Sequence, residues 1–196
     1  MEDSSSKQRL RAALRAQRLN LDATSRQHQD RRINQEVLDL VAQEHASSLA
    51  AYLPFDGEPD LRPALEILYR RGVRIALPAL VTVSSDKQLE FRVWLPEVQL
   101  TKGPFGIDQP REGSDVPLQE LDLLLMPLVA WDDCGHRLGM GAGYYDRALA
   151  ALADTRHPLR IGVAYSLQKH EGLPADPWDV RLHQVVTEEG RFTCKA

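Results

Sequence analysis

Apolar residues recur along this chain in two rhythms, and the rhythms alternate. Leu10 and Leu14 lie four apart with Ala13 beside them, so residues 7–19 predict a helix with a modest apolar stripe. The serines ahead of Lys7 offer it an N-cap. Ile33, Val37, Leu40 and Val41 mark one face of a second helix over residues 25–44. Residues 48–53 form a short buried strand that ends at Pro54, and Asp56-Gly57-Glu58-Pro59 is a turn. Asp60 is placed to cap a third helix over 61–71, with Leu61, Leu65 and Leu68 on one side and Gly72 as its stop.

Residues 73–77 predict a second strand, and the alternation over 89–95 a third, nearer the sheet edge. The Gly, Pro, Asp and Ser content of 103–117 indicates loop. Residues 121–131 are almost unbroken apolar sequence, as expected of a central parallel strand covered on both faces. A helix over 144–153, a strand over 161–165, a Pro/Asp-rich stretch over 174–178 and an extended segment over 184–187 complete the chain. Strands alternating with helices predict an α/β fold: one three-layer domain spanning 1–196, with a mostly parallel sheet flanked by helices and residues 1–45 packed on it as a helical segment. Ligands on such sheets sit beyond the carboxyl ends of the strands.

Composition adds boundaries. With 43% hydrophobic and 27% charged residues, the 196-residue chain is ordinary for a soluble globular protein. No stretch approaches the roughly 18 consecutive apolar residues of a membrane span, and the opening Met1-Glu-Asp-Ser-Ser-Ser lacks the blocks of a signal peptide. The two cysteines, Cys134 and Cys194, have no CxxC spacing and read as free thiols, so a cytoplasmic location is expected. A net charge of −4 argues against nucleic acid as a partner. The charge is uneven, however: residues 7–32 hold eight basic and two acidic side chains, a local net charge of +6. Most of these cations read as a solvated helix face, with a few reaching an anionic ligand.

The richest chemistry lies in Arg137-Leu-Gly-Met-Gly-Ala-Gly-Tyr-Tyr-Asp-Arg147. Three alternate glycines (Gly139, Gly141, Gly143) follow the most apolar strand and precede a helix. Such a loop lets backbone approach a ligand closely and turns N–H groups toward an anion. Arg137 then reads as counter-charge to a phosphate, and Asp146 as a carboxylate for a divalent cation. The loop matches neither GxxxxGK[ST] nor GxGxxG, no GxSxG is present, and the six histidines make no zinc spacing with the cysteines. On its own the loop could equally be a tight turn packing helix on sheet.

The longer string decides between these. Met126-Pro-Leu-Val-Ala-Trp-Asp-Asp-Cys-Gly135, followed by residues 137–147, closely resembles the signature of the 5-formyltetrahydrofolate cyclo-ligase family. The resemblance extends along almost the whole chain, through Lys7-Gln-Arg-Leu-Arg11, Tyr52-Leu-Pro with Glu58, Phe105-Gly-Ile-Asp-Gln-Pro110, Asp176-Pro-Trp-Asp179 and Val185-Val-Thr-Glu188. This chain departs from it at Leu128, where many members have Gly, and at Trp131, Met140, Ala142 and Gln109.

The resemblance implies an ATP- and Mg²⁺-dependent ligase that closes 5-formyltetrahydrofolate to 5,10-methenyltetrahydrofolate through a phosphorylated formyl group. It implies that ATP meets Lys7, Arg11, Arg137, Leu138, Gly139, Met140, Gly141, Ala142, Gly143, Tyr144 and Tyr145. The folate would meet Leu53, Glu58, Phe105 and Tyr144, with Phe105 and Tyr144 stacking on flat rings and Glu58 bonding the pterin edge. Mg²⁺ would be held by Asp146 and Asp179, and Arg137 and Tyr144 would act in catalysis. The substrate could be polyglutamylated and the protein monomeric, with no membrane partner. Two other readings remain open at this point: an ATP-dependent enzyme of the same fold acting on another heterocycle, and a folate-binding protein without turnover.

Overall fold

The computed structural model describes residues 2–83 and 86–195. The chain opens with two helices, α1 (Glu2–Leu19) and α2 (Ala23–Gln43), then β1 (Ser48–Ala50) and α3 (Arg62–Arg70). A long hairpin follows, β2 (Arg74–Val83) and β3 (Asp86–Val93), and then a small one, β4 (Leu100–Lys102) and β5 (Asp108–Pro110). Next come β6 (Leu123–Pro127), a short hairpin of β7 (Ala130–Trp131) and β8 (Arg137–Leu138), and α4 (Tyr144–Leu149). The chain closes with β9 (Leu159–Val163), β10 (Gln184–Thr187) and β11 (Gly190–Thr193).

Seven strands make the central sheet in the order β11-β10-β9-β6-β1-β2-β3. The inner five run parallel, and β3 and β11 pair antiparallel at the two edges. The expected mostly parallel α/β sheet is therefore present. On one face Ile33, Val37, Leu40 and Val41 of α2, with Leu65 and Leu68 of α3, cover Leu49, Leu123, Leu125 and Ile161. On the other, Leu149 of α4 and Leu152 of the adjoining 3-10 turn cover Leu124, Met126 and Val185. Burying a leucine-sized side chain contributes about 1.5–3 kcal/mol, so these two layers dominate the stability of the fold. α1 lies apart from both: its Leu14 packs with Val129, Ala130, Leu138 and Leu173 around the β7–β8 hairpin.

Several sequence-based boundaries are corrected. Ser4–Ser6 lie inside α1, which begins at Glu2, rather than ahead of it. α2 is capped by Asp22, whose carboxylate accepts hydrogen bonds from the backbone of Thr24 and Ser25. β1 stops at Ala50, although Ala51–Leu53 stay buried. The apolar run over 121–131 divides at Pro127, whose ring has no N–H to continue a ladder, so β7 turns away as a separate hairpin with β8. β2 runs on through Pro78 because β1 pairs only with Arg74–Ala76; the proline lies beyond that partner. The stretch expected to be loop over 103–117 contains β5. The helix expected over 144–153 is α4 followed by the 3-10 turn Ala150–Leu152.

Candidate active site

The chain leaves β1 toward β2 on one side and later returns to β6 on the other. That reversal opens a crevice at the carboxyl ends of β1 and β6, the usual ligand position on an open parallel sheet. The turn carrying Glu58 follows β1, and the β7–β8 hairpin with its glycine loop follows β6.

Two of the loop glycines are demanded by the backbone. Gly141 has φ +98° and Gly143 φ +66°, conformations that side chains resist. Gly139 has ordinary φ, and a Cβ there would meet open space, leaving its backbone approachable. α1 crosses this loop. Arg11 Nε donates to the Gly139 carbonyl at 2.8 Å, and its guanidinium lies beside Gly141. One turn earlier, Lys7 Nζ is 2.7 Å from Asp176 and 4.0 Å from Asp179, on the strap that precedes β10. The structure thus joins Arg11 to the glycine loop, 128 residues away in sequence, and Lys7 to the strap.

Arg137, the expected counter-charge, has its guanidinium almost wholly buried. It donates to Asp146 Oδ1 at 2.6 Å and to the Val180 carbonyl at 2.5 Å. Asp146 Oδ1 also accepts from Val180 N at 3.4 Å, while Asp179 Oδ2 accepts from Asp176 N at 2.8 Å. Asp146 thus reaches the backbone of Val180, the residue that follows Asp179 in the strap. Among the described residues no cluster of three or more His, Cys, Asp or Glu side chains gathers as a metal cage. Carboxylate oxygens suit Mg²⁺, which is commonly bound by one or two of them with substrate phosphates and water; here Asp146 is paired with Arg137, and Asp179 lies 4.0 Å from Lys7.

Across the crevice, Glu58 is buried. Its carboxylate accepts from Phe55 N at 3.1 Å. Burial pushes its pKa up from 4.5 to about 7, against the pull of Arg18 and of that hydrogen bond. Tyr52 and Tyr145 are pushed upward as well, chiefly by burial and next by the nearby Glu58 charge. Leu53 is a core residue beside this turn.

A family model described as the 5-formyltetrahydrofolate cyclo-ligase family matches residues 3–188. The chain belongs to the 5-formyltetrahydrofolate cyclo-ligase family. A relative from Haemophilus influenzae bearing that name is 35% identical over 182 residues, covering 92% of this chain and 96% of its own. One from Escherichia coli is 41% identical over 144 residues, 72% and 78% of the two chains. The solution structure of a 5,10-methenyltetrahydrofolate synthetase from Aquifex aeolicus superposes with a TM-score of 0.81 at 31% identity, covering 97% of this chain and 93% of that one. The Mycoplasma pneumoniae 5,10-methenyltetrahydrofolate synthetase gives 0.74 at 30% identity, over 93% and 98%.

Against this cyclo-ligase frame the departures at Leu128, Trp131 and Gln109 have local accounts. Leu128 is buried and sets Cδ2 over Gly162 of β9, where a Cβ would come within 2.7 Å; glycine on β9 makes room for leucine on β6's exit. Trp131 is buried against Phe192, ring centroids 5.3 Å apart. Gln109 Oε1 accepts from Leu80 N at 3.0 Å, fastening the β4–β5 hairpin to β2. Phe105 stands at the tip of that hairpin, 62% exposed and at φ +67°. Tyr144 begins α4 with the Arg147 guanidinium 5.0 Å from its ring centroid. Leu138 spends its side chain on the core beside Leu14, and its carbonyl accepts from Val129 N. Met140 and Ala142 are exposed on the glycine loop.

Sequence reasoning counted Arg15, Arg18 and Arg26 as part of a basic stretch and missed what they do. Arg15 Nε and Arg18 Nη2 both bond Asp56 Oδ2, at 2.7 and 3.0 Å. Arg26 reaches the Gly57 carbonyl at 2.7 Å. The four-residue rhythm Lys7, Arg11, Arg15 was the available signal, since it lays the cations along one helix face.

Proposed function

We propose that this chain catalyses the ATP-dependent closure of 5-formyltetrahydrofolate to 5,10-methenyltetrahydrofolate, releasing ADP and phosphate. The observation that carries this reading is Arg11 bonded to the glycine loop, with Lys7 one turn earlier on the strap carboxylates and Glu58 buried after β1, within a cyclo-ligase chain.

Backbone N–H groups of residues 139–145 cradle the phosphates, and Lys7, Arg11 and Arg137 supply positive charge where the phosphoryl group moves. The formyl oxygen attacks the γ-phosphorus, the β–γ bridge breaks and ADP leaves. The neighbouring amine nitrogen of the same folate then attacks the formyl carbon and loses its proton. Phosphate departs with the former formyl oxygen, leaving the methenyl bridge. Nucleophile and electrophile share one molecule, so the protein's task is to fold the folate into reacting geometry. Ionised Glu58 accepts from the N–H groups of the pterin edge, and Leu53, Phe105 and Tyr144 flank its rings. Mg²⁺ held by Asp146 and Asp179 would neutralise phosphate charge when bound. A cytoplasmic, monomeric enzyme accepting polyglutamylated folate without membrane or nucleic-acid partners completes the reading; no helix among the described residues is long and apolar enough to cross a membrane.

Ultraviolet absorbance of protein with 5-formyltetrahydrofolate and Mg²⁺ tests it directly. Growth of the methenyl band only when ATP is added is the expected result. Folate binding without that band would replace the reading with a carrier, and neither would send the search to another heterocycle.

A further inference from the structure

Arg18 has no exposed surface at all. A guanidinium so placed needs its donors satisfied inside the protein. All of its nitrogens are engaged: Nε donates to the Asp56 carbonyl at 3.1 Å, Nη2 to Asp56 Oδ2 at 3.0 Å, and Nη1 to the Leu128 carbonyl at 3.1 Å. Asp56 follows β1 and Leu128 follows β6. Arg18 therefore spans the crevice floor between the two strands whose divergence creates the site.

The turn it grips is an awkward one. Asp56 has φ +54° and Gly57 φ +77°, and the next residue is Glu58. Arg15 from α1 and Arg26 from α2 also hold this turn, through Asp56 Oδ2 and the Gly57 carbonyl. Arg26 Nη2 in turn donates to the Arg18 carbonyl at 2.7 Å. A left-handed aspartate persists only where its surroundings fix it.

We infer that Arg18 is a positioning residue for folate recognition: by bridging Asp56 and the Leu128 carbonyl it fixes the turn that aims the Glu58 carboxylate into the crevice. The inference rests on the reading of Glu58 as the pterin partner. It does not require turnover.

A carboxylate accepts from two neighbouring pterin N–H groups through both oxygens only when it is ionised. The charged and titratable groups that influence Glu58 are Arg18 from α1, Asp56 from its own turn, Tyr52 after β1 and Tyr145 from α4. Arg18 favours the ionised form and Asp56 opposes it. Removing either therefore moves folate binding along the pH axis in opposite directions, which a simple loosening of the turn would not do.

The experiment measures the Kd of 5-formyltetrahydrofolate by calorimetry between pH 5.5 and 8.5, and of ADP at pH 7.5, for wild type, Arg18→Met, Arg18→Lys and Asp56→Asn. For Arg18→Met, folate affinity at pH 7 should fall about tenfold, the size of a one-unit change in protonation balance, while ADP affinity stays within about twofold. The acid limb of folate binding should move to higher pH in Arg18→Met and to lower pH in Asp56→Asn. Arg18→Lys should fail to restore wild-type affinity, because an ammonium cannot fork to acceptors on two strands. Shifts of the same sign, equal losses of ADP and folate, or full rescue by lysine would each overturn the inference. If Arg18→Met does not fold, Arg18→Lys decides: wild-type folate affinity in that variant overturns the inference. Wild type that binds folate with the expected shifts yet forms no methenyl band would sink the cyclo-ligase reading and leave this inference standing.

Discussion

Glu58 illustrates a residue held in a state that the fold alone would not choose. Its pKa is raised from 4.5 to about 7, chiefly by burial. The sign follows from linkage: an acid with a raised folded-state pKa contributes stability that is fully present below pH 4.5 and is lost as pH rises through about 7. At pH 8 the ionised carboxylate opposes folding by on the order of 3 kcal/mol. Glu58→Gln should therefore melt higher than wild type at pH 8, with the advantage vanishing near pH 4. The same variant should bind 5-formyltetrahydrofolate at least tenfold more weakly, for an amide replaces a charged acceptor. Thermal melts at the two pH values, beside one calorimetric titration, check both halves. A variant that was neither more stable nor weaker in binding would show that the carboxylate is better solvated than its burial implies. Residues of this kind are only partly legible in sequence. Glu58 was found through resemblance, whereas Arg18 and Asp56 were invisible, because a buried ion pair 38 positions apart leaves no periodic trace.

At the scale of elements, the glycine loop combines positive-φ backbone with the proposed nucleotide contact. Gly141→Ala puts a side chain at φ +98°, a strain of roughly 1–2 kcal/mol, and it faces the Arg11 guanidinium. The expected result is a rise of tenfold or more in KM for ATP with little change in KM for the folate. Steady-state kinetics varying one substrate at a time would show it, and an equal effect on both would remove the loop from nucleotide binding. This loop was legible through the longer string around it, since alternating glycines alone could equally mark a tight turn. The hairpin that carries it was not. The run over 121–131 promised one strand, and only Pro127 hinted at the break between β6 and β7. Likewise the second strand was expected to end at 77, yet β2 continues where β1 no longer pairs with it. Helices α2 and α3 were clear from their apolar faces, since those faces build the core.

For the molecule as a whole, binding at a switch point ties both sides of the site to the same sheet. Saturating ADP, at about 100 times its Kd, should stabilise the fold by about 2.7 kcal/mol. In a chain of this length that raises Tm by roughly 5–10 °C. We propose that the sheet and its two helical layers melt as one unit. A scanning-calorimetry trace with two separate transitions in the apo protein would contradict this. The overall α/β order was readable from alternating rhythms, but α1's place was not. It belongs to neither layer: Leu14 packs on the β7–β8 hairpin while Arg11 and Arg18 bond the Gly139 and Leu128 carbonyls.

That placement sets how α1 moves. Leu14 and the partly buried Leu10 are its apolar anchors in the hairpin cluster, while Lys7, Arg11, Arg15 and Arg18 hold it along its length. Its backbone amides should accordingly trade protons with heavy water much sooner than those of β6 and β9, whose neighbours are strands on both sides. Nucleotide should slow that exchange from the Lys7 end, and folate from the Arg18 end. One helix would then carry a separate isotopic record of each substrate's arrival.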